Sequence, residues 1–315
     1  MECIAVGVGI DRHRFQSELA ERPHDPDGDL SAIGDEDPGL RHQRLRVAII
    51  VCTRTGVKPL PLSELVLAHA LERIGAQAPV RFDEVTRSTQ ITARSLADEG
   101  APEWTLVAAA HQTEGRGRLG RGWVDEPGRA LMFSVVLRPD LRAERGGLIP
   151  LLAGWALAVA CREATGLEAR CKWPNDLMVG EGKAGGIIAE SKLSGDGIEH
   201  VVLGIGVNVA AAPAVAGAAA IGDVEPAEVL ESFLIAFAGR YEPGHPAFPR
   251  ATLAAYREVC DTIGRRVRAT TTGGLVVEGE AVDLDDAGGL LVRTDDGLEV
   301  VRFGDVEQLR PGMSG

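Results

Sequence analysis

The sequence lacks the cysteine pattern of a zinc site or a disulfide framework. Its five cysteines are scattered along 315 residues, and no two of them form a C-x-x-C pair. Isolated thiols fit a reducing compartment, so we expect a cytoplasmic location. The sequence also lacks an uninterrupted apolar run of the ~18 residues that a membrane span requires, and its short apolar N-terminal run has no cationic segment before it. We therefore expect neither a membrane span nor an export signal.

Positive charge is scarce as well. The chain has 33 Lys and Arg against 46 Asp and Glu, which gives a formal net charge of -13. The resulting negative field argues against broad binding to nucleic acid or to acidic membranes. No recognisable Ser-His-Asp or Cys-His signature is present either, so nothing in the sequence suggests a nucleophilic side chain. A local cluster of cations in such a chain would indicate a specific anion site.

The N-terminal segment differs from the rest of the chain. Residues 11–46 are rich in Asp, Glu, Arg, Gly and Pro, and their few apolar residues follow no helical or strand period. Such a segment cannot bury enough apolar surface to offset the entropy of ordering it. We predict that residues 1–58 are a disordered extension, or that translation begins further downstream.

Residues 59–261 have the pattern of an α+β domain with a mixed, largely antiparallel sheet. Ser63 and Ser88 stand before two helical segments, and Gly166 follows a third. The remaining apolar or β-branched runs predict seven strands, one of them at 130–137, and several of them are joined by tight glycine turns that favour antiparallel pairing. Two more helices are predicted from 226 to 241 and from 248 to 260, the first with Pro226 at its opening position.

The character of the sequence changes near residue 261. From there short alternating strands are separated by turn residues, such as Gly273 and Gly274 and the segment 285–289. This spacing is typical of a small all-β barrel with hairpin turns. We predict a separate C-terminal domain over residues 262–315.

The most informative segment is 112–123, which reads QTEGRGRLGRGW. It contains Arg116, Arg118 and Arg121 among four glycines, between two predicted strands of an acidic protein. Glycines allow the backbone to approach a ligand closely, and guanidinium groups offer charge and forked donors to phosphate or carboxylate. The segment therefore predicts an anion site, with a solvated loop or an RNA-binding Arg/Gly tract as alternatives. Its match to G-x-G-x-x-G is weak, because no helix follows at once.

A second group of polar residues lies in the segment 172–186. Pro174 should interrupt a strand between Lys172 and the pair Asn175 and Asp176, and Lys183 follows a tight turn. The two lysines could neutralise phosphate oxygens, while Asp176 could hold Mg²⁺ or accept a proton from an amine. A surface salt bridge is the alternative for Lys172 and Asp176. A third segment places Asn208 at the end of a buried strand, where it could contact a base or a ribose.

These segments together resemble the signature segments of the biotin protein ligases. The resemblance covers about residues 80–210, with its motifs in the same order and spacing, and the predicted C-terminal barrel is similar to the small C-terminal domain of that family. It implies an ATP-dependent ligase that forms biotinyl-5'-AMP from biotin and ATP and transfers biotin to a lysine of a biotin carboxyl carrier protein, for example of acetyl-CoA carboxylase. It also implies a catalytic domain related to lipoate ligases and class II aminoacyl-tRNA synthetases.

Site residues follow from the resemblance position by position. It implies that Lys183, Arg118, Lys172 and Asp176 are catalytic, with Mg²⁺ as an activating ion near Asp176. The residues implied to bind biotin are Ser88, Thr89, Gln90, Gln112, Gly115, Arg116, Gly117, Arg118, Lys183 and Gly186. The residues implied to bind the nucleotide are Arg118, Arg121, Trp123, Lys172, Asn175 and Asn208. For Trp173, beside Pro174, packing in the core is the expectation.

The sequence departs from the family in two places. Gln90 stands where the family usually has Asn after Ser-Thr, and residues 1–60 show no paired amphipathic helices of the winged helix-turn-helix that some relatives carry. We therefore expect a ligase without DNA binding, whose partners are biotin, ATP and a carrier protein. A homodimer is left open, as are three alternatives: a lipoate-type ligase, a nucleic-acid-binding module, and a non-catalytic biotin- or nucleotide-binding regulator.

Overall fold

The computed structural model describes residues 5–10, 45–50, 61–302 and 304–309, within two compact units that span 1–59 and 60–315. In the first unit, strands β1 (Ala5–Ile10) and β2 (Leu45–Ile50) form an antiparallel pair. The remainder of 1–58 lies outside the described residues. The predictions of disorder and of a missing DNA-binding domain concern mainly that remainder, so they stay predictions.

A seven-stranded sheet forms the centre of the second unit. Its strands are β3 (Val80–Asp83), β4 (Leu106–Ala109), β5 (Ala130–Leu137), β6 (Ala169–Lys172), β7 (Asp176–Val179), β8 (Gly182–Ser194) and β9 (Gly197–Asn208), in the order β3-β4-β5-β9-β8-β7-β6. Only β3 and β4 pair in parallel. The remaining neighbours are antiparallel. The predicted mixed, largely antiparallel sheet is confirmed.

Helices cover both faces of this sheet. One face carries α2 (Thr89–Asp98), whose Ala93 and Ala97 pack on Val107, Val136 and Val202. The other face carries α1 (Glu64–Arg73), α3 (Leu148–Thr165), α4 (Pro226–Ala238) and α5 (Phe248–Val259), which form the large core with the opposite side of the strands. Because strand residues alternate between faces, the two cores draw on alternate residues of the same strands.

Helix α3, with 18 residues, is the longest of the five described helices. By length and composition it could cross a membrane, although no such segment was predicted. Eleven of its residues are buried, and it packs against α4, α5 and the sheet. It is therefore the central core helix of the domain. It ends at Gly166, whose φ of 75° suits the predicted left-handed position.

The C-terminal residues form a five-stranded antiparallel sheet. Its strands are β10 (Arg266–Thr271), β11 (Val276–Leu284), β12 (Leu290–Thr294), β13 (Gly297–Val301) and β14 (Gly304–Gln308), in the order β13-β12-β11-β10-β14. The predicted barrel is wrong, because β14 pairs with β10 and, among the described residues, β13 and β14 remain the two open edges.

Trp173 connects the two sheets. Its side chain is buried, its backbone N–H donates to Thr262 Oγ1 at 2.9 Å, and its indole N–H donates to the carbonyl of Gly288 at 3.0 Å. The peptide bond to Pro174 is cis. The expectation that Trp173 packs in the core is confirmed, and its bonds hold Thr262, before β10, and the β11–β12 turn beside the end of β6.

Candidate functional site

A cleft of about 730 Å³, open solvent included, lies between the start of α2, the segment 112–123 and the strands β8 and β9. It brings together most of the predicted site residues, although they are far apart in the sequence. Those that line it are Ser88, Thr89, Gln90, Gln112, Arg116, Gly117, Arg118, Arg121, Trp123, Asn175, Asp176, Lys183 and Gly186. Gly115, Lys172 and Asn208 do not line it.

One end of the cleft, which we call the buried end, is a chain of neutral hydrogen bonds. Gln112 Oε1 accepts from the backbone N–H of Thr89 at 2.7 Å and lies 3.2 Å from Thr89 Oγ1. Thr89 Oγ1 is 2.9 Å from Ser134 Oγ, which in turn donates to Gln90 Oε1 at 3.0 Å. All four residues are buried. Their polar atoms are held in place before any ligand arrives.

Gln90 closes the buried end. Its amide nitrogen donates to the carbonyl of Val202 at 2.9 Å and to Glu190 Oε2 at 3.0 Å. Glu190 also forms an ion pair with Arg94. A Cβ at Gly204 would lie 2.3 Å from Gln90 Oε1, so the glycine makes room for the long amide.

Ser88 stands at the N-cap position of α2, as predicted, but its side chain makes no capping hydrogen bond. It is buried and lines the cleft instead.

The other end of the cleft, the open end, carries the charges. Lys183 Nζ lies 2.6 Å from Asp176 Oδ1, and both side chains are partly exposed. Arg118 donates to Asn175 Oδ1 at 3.0 Å and to the carbonyl of Gly304 at 3.4 Å. Burial lowers the pKa of Arg118, while the nearby Asp176 opposes that shift and Arg121 adds to it. A guanidinium in this position would gain from an anionic partner, because its environment leaves part of its charge uncompensated.

The segment 112–123 folds as a hairpin, here called the catalytic hairpin. Its backbone bonds run from Gly117 N to Arg121 O at 2.8 Å and from Trp123 N to Gly115 O at 2.9 Å. Its tip is a 3₁₀ turn over Arg118–Gly120. Gly115 is required for close approach, since a Cβ there would lie 2.4 Å from Trp123 O. This explains why Gly115 shapes the hairpin without lining the cleft.

Two exposed ion pairs hold the hairpin to its surroundings. At the tip, Arg121 forms an ion pair with Asp305 of β14. Near the base, Glu114 receives two hydrogen bonds from Arg87, at 2.7 and 3.0 Å. These bonds lower the pKa of Glu114 and raise that of Arg87. The C-terminal sheet thus contributes a carboxylate to the open end.

Trp123 lies flat on two glycines of the sheet. Its ring is 2.7 Å from where a Cβ of Gly206 would stand and 3.5 Å from that of Gly186. Its indole N–H is buried and has no hydrogen-bond partner among the described residues. The Trp123 ring and the two glycines beneath it therefore form a flat floor in the cleft. The indole N–H is a hydrogen-bond donor that a ligand could use.

Two predicted residues lie beside the cleft and not in it. Asn208 donates to the carbonyl of Ala219 at 2.9 Å, and its Oδ1 is buried with no partner among the described residues. Lys172 lines a second cleft, next to the first, with Arg121, Trp173, Pro174, Asn175, Asp176, Arg268, Thr270, Asp305, Val306 and Glu307. Arg121, Asn175, Asp176 and Asp305 line both clefts, so they form the partition between them.

Sequence reasoning missed several lining residues. Ser134 is the one hydroxyl in the apolar strand β5, a signal that could have been noticed. Nothing in the sequence around Asp305 marks it as a site residue, because its position depends on where β14 pairs.

The described residues contain no group of three His, Cys, Asp or Glu able to hold a metal ion.

Comparison with known proteins agrees with this geometry. Residues 82–208 match the model of the biotin/lipoate A/B protein ligase family, and residues 262–308 match that of the biotin protein ligase C-terminal domain. The chain is 34% identical over 263 residues to the bifunctional ligase/repressor BirA of Bacillus subtilis, covering 79% of this chain and 80% of that protein. It is also 34% identical over 265 residues to the biotin–[acetyl-CoA-carboxylase] ligase of Mycobacterium tuberculosis, covering 79% and 97%.

Among solved structures, the fold is similar to that of a biotin protein ligase from Aquifex aeolicus in complex with biotin and ATP. The TM-score is 0.61 at 27% sequence identity, over 74% of this chain and 99% of that one.

Proposed function

The chain belongs to the biotin protein ligase family, and on that premise we propose that it is a biotin–[acetyl-CoA-carboxylase] ligase that forms biotinyl-5'-AMP and passes the biotin to a lysine of a carrier protein. A single observation supports the proposal beyond the family relationship. One cleft joins a neutral, fully hydrogen-bonded end to a cationic end. That arrangement matches biotin, which has a polar ureido ring at one end and a carboxylate at the other.

The buried end favours biotin over lipoate. The ureido ring can exchange hydrogen bonds with the polar atoms of Thr89, Gln112, Ser134 and Gln90. The apolar dithiolane of lipoate could form none of these hydrogen bonds and would place an apolar ring against polar walls. Sites that hydrogen-bond a substrate therefore reject analogues that lack the bonding group strongly.

The first step occurs at the open end. A carboxylate oxygen of biotin attacks the α-phosphorus of ATP, a P–O bond to the β-phosphate breaks, and pyrophosphate leaves. Negative charge accumulates on the phosphate oxygens, so we assign Arg118 and Lys183 to stabilise it, with Arg121 and Lys172 on the side of the leaving pyrophosphate. Arg116, Gly117 and Gly186 shape the wall around the acyl chain.

The nucleotide is assigned to the region of Trp123. Its ring and the underlying glycines form a flat surface suited to a purine. Asn175 would act on the phosphates indirectly, by accepting a hydrogen bond from Arg118 and so orienting its guanidinium. Asn208 would reach the base only if its amide turned from Ala219, so we expect it to contribute less than Trp123.

The second step needs a neutral amine. The lysine amine of the carrier attacks the acyl carbon of the mixed anhydride, the bond to AMP breaks, and the amine loses its proton. We assign Asp176 to accept that proton, which requires Lys183 to leave it for the phosphate. The catalytic hairpin shields the adenylate from water until then.

Mg²⁺ fits the site only as an ion carried on ATP. Mg²⁺ is usually bound by one or two carboxylates together with substrate phosphates, and Asp176 and Asp305 are carboxylates that line the cleft. When bound, the ion would offset charge on the phosphates.

We place the reaction in the cytoplasm and expect no binding to nucleic acid or membrane. Sedimentation would decide whether the chain is a homodimer.

The test uses the purified chain with ATP, Mg²⁺ and biotin, and a biotin carboxyl carrier domain. Intact mass should rise by one biotin on the carrier, and a carrier with its acceptor lysine changed to Arg should gain nothing. Parallel reactions contain lipoate with a lipoyl carrier domain. Labelling with lipoate alone would contradict the proposed substrate, and tight biotin binding without labelling would point to a regulator.

A further inference from the structure

His111 and Asp125 flank the catalytic hairpin on its two sides. His111 directly precedes the segment 112–123, and Asp125 follows it by two residues. Their side chains meet, with His111 Nδ1 2.8 Å from Asp125 Oδ2. Because an ionised carboxylate only accepts, Nδ1 carries the donated proton in this contact. The pair thus ties together the two chain segments at the base of the hairpin.

Asp125 also reaches the buried end of the cleft. Its Oδ1 accepts from the backbone N–H of Gln112 at 3.4 Å. The side chain of Gln112 accepts in turn from the N–H of Thr89 at 2.7 Å. One carboxylate therefore connects the base of the hairpin to the first residue of α2 through a single intermediate.

The contact at the base differs in burial from the two exposed ion pairs of the hairpin. Among the three carboxylates, Asp125 is 1% exposed although its partner His111 is 34% exposed, whereas Asp305 is 36% exposed and Glu114 is 53% exposed. Exposed ion pairs are weak and exchange readily with water and ions, but a buried carboxylate that loses its donor is strongly unfavourable. The ion pair at the tip can therefore break while the contact at the base stays closed.

We propose that Asp125, held by His111, is a positioning residue that closes the base of the catalytic hairpin and fixes Gln112, so that the tip opens and closes about a constant base. The inference rests on the proposed function, because it assigns the hairpin the task of retaining the acyl-adenylate. Neither residue touches the reacting atoms. Both act through Gln112 and through the hairpin.

Three variants separate the effect of losing the His111–Asp125 hydrogen bond from the effect of unfolding. His111→Asn keeps a nitrogen donor near the position of Nδ1, whereas His111→Phe keeps a ring without a donor. His111→Phe alone leaves a buried carboxylate short of a partner and could unfold the region. The double variant His111→Phe with Asp125→Leu removes both groups, so no unpaired charge remains and the fold should persist.

Two measurements test the proposal. The first is the rate at which preformed biotinyl-adenylate is lost to water without a carrier, together with KM for biotin. The second is amide hydrogen exchange of residues 115–123 in the ligand-free chain, which needs no catalysis. For the double variant we expect both the adenylate loss and the exchange to rise by about tenfold or more. His111→Asn should remain within about threefold of the unaltered chain in both.

The adenylate assay tests the proposed function, and hydrogen exchange tests the positioning role of the pair. If the unaltered chain makes no adenylate, the proposed function fails, and hydrogen exchange still decides whether the pair closes the hairpin. If the double variant folds and its hairpin exchanges and retains adenylate as in the unaltered chain, the inference is overturned. Equal impairment by His111→Asn and His111→Phe would also overturn it, because the donor would then not matter.

Discussion

The two ends of the cleft differ in the interactions that hold their polar groups, which are buried hydrogen bonds at one end and partly exposed ion pairs at the other. At the buried end, each polar group of Thr89, Ser134 and Gln90 is bonded to protein, and these residues are at most 4% exposed. At the open end, Arg121 and Lys183 are paired with carboxylates that are themselves partly exposed. A buried polar group without a hydrogen-bond partner costs about 1–3 kcal/mol of stability, whereas an exposed ion pair contributes only about 0–1 kcal/mol. The buried end is therefore preformed for recognition, and the open end can exchange its partners for phosphate.

The largest effect should come from the open end. Lys183→Ala removes a charge that we assign to the developing phosphate, so kcat/KM for carrier labelling should fall by about a thousandfold. Because the side chain is 40% exposed, the midpoint of thermal unfolding should hardly move. Lys192→Ala, which breaks comparable surface pairs with Asp98 and Glu199, is the control and should label at the normal rate. A loss below tenfold in Lys183→Ala would contradict the assignment.

A smaller effect should come from the buried end. Ser134→Ala removes the hydroxyl between Thr89 and Gln90 and leaves two buried groups short of a partner, which predicts a rise in biotin Kd of about 5- to 150-fold. ATP affinity should be unchanged, as calorimetry would show. Thr252→Val is the matched control, since it removes a buried hydroxyl that has no partner in the described structure. Equal losses of biotin and ATP affinity in Ser134→Ala would remove the distinction between the ends.

The floor of the cleft offers a third test. Gly206→Ala would place a methyl group 2.7 Å from the Trp123 ring, so the indole must move. KM for ATP should rise by about tenfold, with KM for biotin less affected, because only the nucleotide is assigned to that ring. Gly197→Ala lies on the same strand, has no atom within 3.5 Å of the new methyl group, and should behave normally. An unaltered KM for ATP would place the base elsewhere.

The smallest effect is expected at the tip of the hairpin. Asp305→Asn weakens an exposed ion pair with Arg121, so the rate of adenylate loss should rise by about two- to fivefold, and the difference should shrink at high salt. Asp196→Asn, which alters another exposed pair with Arg142, serves as the control. A tenfold or larger effect that persists at high salt would mean that Asp305 does more than hold the tip.

Local patterns predicted the elements well. The strand predicted at 130–137 has those bounds as β5, and the helix after Ser63 begins at Glu64 with Ser63 as its N-cap. Apolar periodicity and capping residues act within a few positions, so the sequence carries them directly. The clustering of 112–123 with Asp176 and Lys183 came from the family resemblance, and the cleft confirms that these residues meet.

The features that could not be predicted from the sequence depend on pairing between strands that are far apart in the chain. Lys172 and Asp176 face each other across the β6–β7 turn, yet only Asp176 lines the first cleft. The barrel prediction was wrong because β14 pairs with β10 and not with β13, and local patterns do not show which strands pair. Ser134 lines the site because β5 is an interior strand between β4 and β9, a position that no local pattern encodes.

The contact between Arg118 and Gly304 joins residues 186 positions apart. During synthesis the catalytic hairpin therefore leaves the ribosome well before the strand that receives its tip. A nascent chain could close the base of the hairpin early but would lack the carbonyl and carboxylate that steady its end. We expect such a chain to release its reactive intermediate prematurely, so the late arrival of β14 delays competence until the carboxyl-terminal sheet has folded.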